Sequence, residues 1–247
     1  MQYTDNVASG FWISERLQGW GVVGGTIPRG FEAYARVFHP AEARRFISED
    51  PIEADTRVVT WAEVAAARGA TWHLGVWSGW GELHPGSGSW VIAFTRVDHE
   101  SDGDAQQELE EASRNAVSDD VAHAASIGPT LELPGREYVL LTADVRELTD
   151  PSWVSTAGLG WFYRHGPTPN ILWPADRAWF LGSEIDFDST LVGGTRAFID
   201  AIVAHPLLEA AEVTADTDLT INADPINPRC RPVTLGRCPQ QTGASNA

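Results

Sequence analysis

Trp179-Phe-Leu-Gly-Ser-Glu184-Ile185-Asp186-Phe187-Asp188-Ser-Thr-Leu-Val-Gly193-Gly194-Thr195-Arg196-Ala-Phe198-Ile199-Asp200-Ala-Ile202-Val203-Ala-His205-Pro206 runs strand, turn and helix signals together without contradiction. Ile185 and Phe187 alternate with Glu184, Asp186 and Asp188, the period of two expected of a strand with one buried face. On such a strand the three carboxylates share one side, about 7 Å between neighbours. Ser189-Thr190 and the Gly193-Gly194 pair break it, and Thr195 supplies an N-cap for the next element. There Phe198 meets Ile202 and Ile199 meets Val203 at i, i+4, which gives a helix with an apolar stripe and with Arg196 and Asp200 outside. His205 lies by the last carbonyls and Pro206 ends the helix.

A chain of 247 residues with 43% hydrophobic and 21% charged side chains can bury a proper core. Its 34 acidic against 17 basic residues give a formal charge of −17, and every basic residue is Arg. Such a surface repels phosphate backbones and anionic lipid, which disfavours nucleic acid and membrane as partners and favours a protein partner with a basic surface. No run has the length of a transmembrane helix, and Met1-Gln-Tyr-Thr-Asp-Asn lacks the basic then apolar design of a secretory signal, so a cytoplasmic location is expected. Cys230 and Cys238 have no His or second Cys pair at ligand spacing and read as free thiols rather than a zinc motif.

Outward from the opening stretch, the pattern predicts an α+β fold with a mainly antiparallel sheet and three or four short helices, in one domain or two packed lobes. Residues 1–100 form a Trp-rich N-terminal lobe, 101–129 an acidic helical connector, 130–223 a C-terminal lobe and 224–247 a disordered tail made locally basic by Arg229, Arg231 and Arg237. Gly19 to Pro28 has neither the GxGxxG spacing nor the terminal Gly-Lys of a phosphate loop and reads as turns. Phe31 to Phe38 is a core strand, and Ala41 to Ser48 a short helix. Thr60-Trp-Ala-Glu63 is a capping box for a helix closed by Gly69, and Trp90 to Phe94 is a buried strand. Pro134-Gly135 between Thr130-Leu-Glu-Leu and Tyr138-Val-Leu-Leu-Thr142 signals a hairpin. Trp161 to His165 reads as another strand, and residues 207–223 hold one more at most.

Four Trp between 72 and 90 admit two readings: large side chains filling a small core, or a stacking platform for sugar built on Trp77 and Trp80. His73 sits in this cluster, either as a satisfied core or loop residue or as part of a binding site. Glu184, Asp186 and Asp188 either face solvent, partnered by Arg177 or Arg196, or gather around a divalent cation, since hard cations want clustered carboxylate oxygens. That cation is the one cofactor the pattern implies. With Asp176 or His165 beside it, the set would support metal-assisted hydrolysis. There is no G-x-S-x-G elbow, because Ser78 is flanked by Trp and Gly, and no catalytic nucleophile is assigned.

The runs Ile27-Pro-Arg-Gly-Phe-Glu-Ala-Tyr-Ala-Arg-Val-Phe-His-Pro40, Gly75-Val-Trp-Ser-Gly-Trp-Gly81, Arg136-Glu-Tyr-Val-Leu-Leu141, Asn170-Ile-Leu-Trp-Pro-Ala-Asp-Arg-Ala-Trp179 and Glu184 to Gly194 resemble a group of uncharacterised actinobacterial proteins. The resemblance covers most of residues 20–215 and implies no activity and no catalytic residue. From the residues themselves, the expected function is that of a non-enzymatic protein-binding protein of immunity, antitoxin or regulatory type. The alternatives are a metal-dependent hydrolase on the carboxylate row and a carbohydrate binder with exposed Trp.

Overall fold

Tyr138-Val-Leu-Leu has four apolar residues in succession, which only a strand covered on both faces can bury, and all four are buried in the longest strand of the protein. The computed structural model describes residues 1–39, 71–84, 116–144, 147–148, 150, 152–161, 166–187, 189–220 and 223. In chain order the described elements are β1 (Gln2–Tyr3), α1 (Phe11–Ser14), β2 (Ala33–Phe38), β3 (Thr71–Trp77), α2 (Asp119–Ile127), β4 (Leu131–Leu133) and β5 (Arg136–Asp144). They continue with α3 (Trp153–Thr156), β6 (Ile171–Pro174), β7 (Phe180–Gly182), β8 (Ser189–Gly194), α4 (Arg196–Val203) and β9 (Ala210–Val213). Short 3₁₀ turns occupy Val7–Gly10, Val23–Gly25 and Gly81–Leu83.

The nine described strands form one antiparallel sheet in the order β1-β5-β3-β6-β7-β8-β2-β9, with β4 sharing the β1 edge of β5. This is the α+β architecture expected from the sequence. β3 lies between β5 and β6, and β2 between β8 and β9. Strands from both sides of the expected 101–129 connector therefore meet in a single sheet. Of that connector, residues 119–127 form α2, whose Val121 and Ala124 are buried against the sheet core.

On one face, Trp72, Leu74 and Val76 of β3 and Val139, Leu141 and Ala143 of β5 pack beneath α2 and Trp153 of α3. The same face continues under α4, where Ile199 and Ile202 cover Ala33, Ala35, Val37 and Val192. On the other face, Tyr34, Tyr138, Leu140, Ile171, Trp173, Phe180 and Leu191 lie under an N-terminal cover that contributes Trp12, Ile13, Val23 and Ile27. Each of these large side chains gains about 1.5–3 kcal/mol from leaving water. The cover comes close because the sheet presents glycine beneath it: a Cβ at Gly193 would stand 2.5 Å from Phe31 and 2.9 Å from Ile27.

Several local readings hold. Thr195 caps α4, its Oγ1 accepting the Phe198 N–H at 3.3 Å. Arg196 pairs with Asp200 and Glu212 on the outer side. Leu133 pairs with Arg136 across Pro134-Gly135, and Gly135 takes φ 80°, as the second corner of a type II turn requires. Within α4, Ile199 and Ile202 form the buried stripe while Val203 is exposed, so the expected Ile199–Val203 pair is divided.

The carboxylate strand is a correction. Strand β7 ends at Gly182, and Glu184 to Phe187 form the turn into β8 rather than an alternating strand. Phe187 N–H donates to the Glu184 carbonyl at 3.1 Å, Ile185 is exposed, and Glu184 is buried, the reverse of the expected sidedness. Ser189 does not break a strand but begins the fully buried β8. Trp161 is likewise outside any strand. The expected 41–48 helix, the Thr60 capping box, the Trp90–Phe94 strand, residues 162–165, both cysteines and the tail lie outside the described residues, as does Asp188.

Candidate functional site

The predicted site residues divide between the two ends of the sheet face that lies under the N-terminal cover. β3 alternates, so His73, Gly75 and Trp77 point to this face, and its antiparallel pairing with β6 sets His73 beside Trp173 and Gly75 beside Ile171. Asn170, just before β6, therefore lies at the Trp77 end, while Arg177, in the β6–β7 turn, lies at the His73 end.

Asn170 holds the first end together. It is buried; its Oδ1 accepts the Trp77 backbone N–H at 2.9 Å and is 3.5 Å from Trp80 Nε1, and its Nδ2 donates to the Ser183 carbonyl at 3.3 Å. The Ser183 N–H returns a bond to the Asn170 carbonyl at 2.7 Å. This fixes where the β7–β8 turn begins and delivers Glu184 to Arg136. Arg136 donates to Glu184 Oε1 from Nε at 3.1 Å and from Nη2 at 2.7 Å, and to Asp186 Oδ2 at 2.9 Å. Glu184 Oε1 also accepts the Ile185 N–H at 3.0 Å. Glu184 and Asp186 thus converge on a guanidinium, which stands where a bound cation would otherwise receive their oxygens. Partial burial opposes the charge of Arg136, but the hydrogen bond and charge of Glu184, with Asp186, raise its pKa above the usual arginine value.

Arg136 also lies 5.2 Å over the Trp77 ring, which packs against Gly79 and meets Trp80 edge to face at 6.2 Å. Both indoles are half-buried and partnered, so they do not offer two parallel open faces. Beside them a shallow, solvent-open cleft with a volume of about 20 Å³ is lined by Leu17, Trp20, Arg136, Tyr138, Asn170 and Glu184, among others. Burial, with the charge of Glu184 adding and that of Arg136 opposing, pushes the Tyr138 phenol far above its ordinary range, so it stays protonated. On the rim, Trp20 is 61% exposed and lies 5.7 Å from Phe187 in a tilted stack.

At the other end His73 stacks on Trp173 at 5.3 Å, and Trp173 stacks on Phe180 at 6.0 Å. Trp12 meets Phe180 edge to face. Burial first, then the charge of Arg177, lowers the His73 pKa and keeps the imidazole neutral at pH 7. No hydroxyl of the described residues bonds to it, and its Nδ1 is buried without a partner. Arg177 has φ 57°, left-handed backbone for a residue that carries a Cβ, and places its guanidinium 5.2 Å from the Trp12 ring. Arg16 reaches the same ring at 5.7 Å.

Elsewhere, His84 and Ser126 approach at 3.3 Å on the surface, with His84 Nε2 bonded to the Ser78 carbonyl, and His39 bonds to Thr190. The first tethers α2 to the Gly81–Leu83 turn. Neither pair lines the cleft.

Sequence reasoning named Trp77, Trp80, His73, Arg177, Glu184, Asp186 and Asp188; Asp188 lies outside the described residues, Trp77, Trp80, Glu184 and Asp186 gather about Asn170 and Arg136, and His73 and Arg177 lie at the Trp173 and Trp12 end. It missed Trp12, Arg16, Arg136 and Asn170 as site residues. One signal was available: Trp12 lies in α1 and Arg16 in the turn just past its end, four residues apart, the spacing at which a cation reaches a ring. Arg136 and Asn170 carry no local signal, since their roles come from strand pairings made far away in the chain. No family model, no curated protein and no solved structure matches the chain.

Proposed function

We propose that this chain is a non-enzymatic binding protein that captures a basic protein partner, in keeping with a cytoplasmic immunity, antitoxin or regulatory role. The observation that carries the reading is the rim of the cleft. Trp20, 61% exposed, meets Phe187 in a tilted contact, and the residue before Phe187 is Asp186, whose side chain stays 65% exposed while it is bonded to Arg136, in a chain of formal charge −17. An aromatic anchor with acid beside it fits an arginine-rich segment, which stacks on an indole while its charge is met by carboxylate. The long-range field speeds encounter, and the anchor gives the contact its strength.

The test is titration of the purified chain with an arginine-rich peptide at low and at physiological salt, repeated on Trp20→Ala and on Asp186→Asn. An anchoring aromatic contributes about 2 kcal/mol or more, so Trp20→Ala should weaken binding by thirtyfold or so, with a smaller loss for Asp186→Asn. If salt alone governs binding and both variants match the parent, the rim is not the recognition surface and the reading fails.

A further inference from the structure

A second surface, at the far end of the same sheet face, has the opposite chemistry. Arg16 and Arg177 hold their guanidinium groups within 6 Å of the Trp12 ring, and neither forms an ion pair with any described residue. By contrast Arg29 meets Asp216, Arg136 meets Glu184 and Asp186, and Arg196 meets Asp200 and Glu212. Both side chains are exposed, and in a chain with twice as many acids as bases each is left on one ring without a described carboxylate.

Three further features belong to the same aromatic cluster, in which Trp12 meets Phe180, Phe180 meets Trp173 and Trp173 meets His73. Trp12 is 95% buried, and its Nε1, which can only donate, has no acceptor. His73, on the strand beside Trp173, has a buried Nδ1 with no partner. The Arg177 backbone is held at φ 57°, and strain of this kind persists where surrounding structure imposes it. The nearest acid in sequence, Asp176, has its Oδ1 engaged by the Ala178 N–H. Glu15, beside Arg16, is exposed. The overall negative charge does not forbid an anion here, because screening over about 8 Å at physiological salt leaves the local groups to decide.

We propose that Arg16, Arg177 and the Trp12 indole N–H form a site for the oxyanion group of a small ligand, a phosphate or a carboxylate. Two planar guanidinium forks suit such groups, which accept paired N–H donors. The indole donor supplies the remaining hydrogen bond. This site is independent of the Trp20 rim and of the partner proposed for it.

The experiment uses the full chain at constant ionic strength, titrated with inorganic phosphate and, separately, with succinate. Binding is read by the shift of the Trp12 indole resonance, assigned with Trp12→Phe, and by calorimetry. Arg16→Gln and Arg177→Gln alter exposed side chains, and each is checked for unchanged circular dichroism. The expected result is saturable binding of at least one anion, a moving Trp12 indole signal and a loss of roughly tenfold or more in each variant, since each removes a charge-assisted hydrogen bond. The phosphate and succinate arms then state which oxyanion is preferred. Absence of saturable binding by both anions, or equal binding by the parent and both variants, overturns the proposal.

Discussion

At the Asn170 end of the covered sheet face Arg136 is met by two carboxylates at 2.7 and 2.9 Å, whereas at the Pro174 end Arg16 and Arg177 share one indole with no acid among the described residues bonded to them. The same side-chain type is used for closure in one place and left open in the other. A neutralised cation organises a turn and braces a core. An unneutralised pair has valences left for something outside the chain.

The comparison breaks most easily at its closed end. Glu184→Ala removes both guanidinium bonds and the acceptor of the Ile185 N–H, and it leaves Arg136 with Asp186 alone. A loss of about 2–3 kcal/mol in urea unfolding is expected, because the Glu184 side chain is only 6% exposed. Asp186→Ala, at 65% exposure, should cost less than about 1 kcal/mol. Equal costs for the two would mean that burial does not separate their roles.

At the open end the expected effects are smaller. Arg177→Gly places the residue that tolerates φ 57° at no steric cost. Stability should hold or rise by up to about 1 kcal/mol while oxyanion binding is lost, a split visible when unfolding and titration are run on the same sample. A clear loss of stability would show instead that the guanidinium over Trp12 is structural. The smallest effect concerns pH. The His73 pKa is lowered from 6.5 in the folded state, chiefly by burial and then by Arg177, so below that value the unfolded chain binds the extra proton first. Its contribution is therefore complete above about pH 6.5 and declines as pH falls through the folded value. His73→Phe, which keeps a ring on Trp173, should flatten the acid side of the stability profile relative to the parent.

How much of this was legible depended on range. Thr195 as a cap, Pro134-Gly135 as a turn and the strand from Ala33 to Phe38 are decided within a few residues, and they read correctly. Glu184 to Phe187 did not, because an apolar and acidic alternation is written the same way in a short turn as in a strand. What decides between them is the pair of bonds joining Asn170 and Ser183, thirteen residues apart. Trp77 and His73 were visible as candidates, but their separation to opposite ends follows from the pairing of β3 with β6, about a hundred residues later. The Trp12 cluster joins the N-terminal cover to two later strands and is invisible to any local window.

The glycine seat under the cover also bears on the order in which this chain can be made. Ile27 and Phe31 rest on Gly193, and β2 finds its partners only in β8 and β9, so residues synthesised early have no resting place until about 190 residues have emerged. Contacts of such sequence separation form slowly, and an apolar segment waiting for them is open to wrong associations meanwhile. Vectorial synthesis thus leaves the Ile27 to Phe31 stretch as a late-closing seam. Slowing translation before residue 189 should lengthen its exposure to protease, and hastening β8 should shorten it.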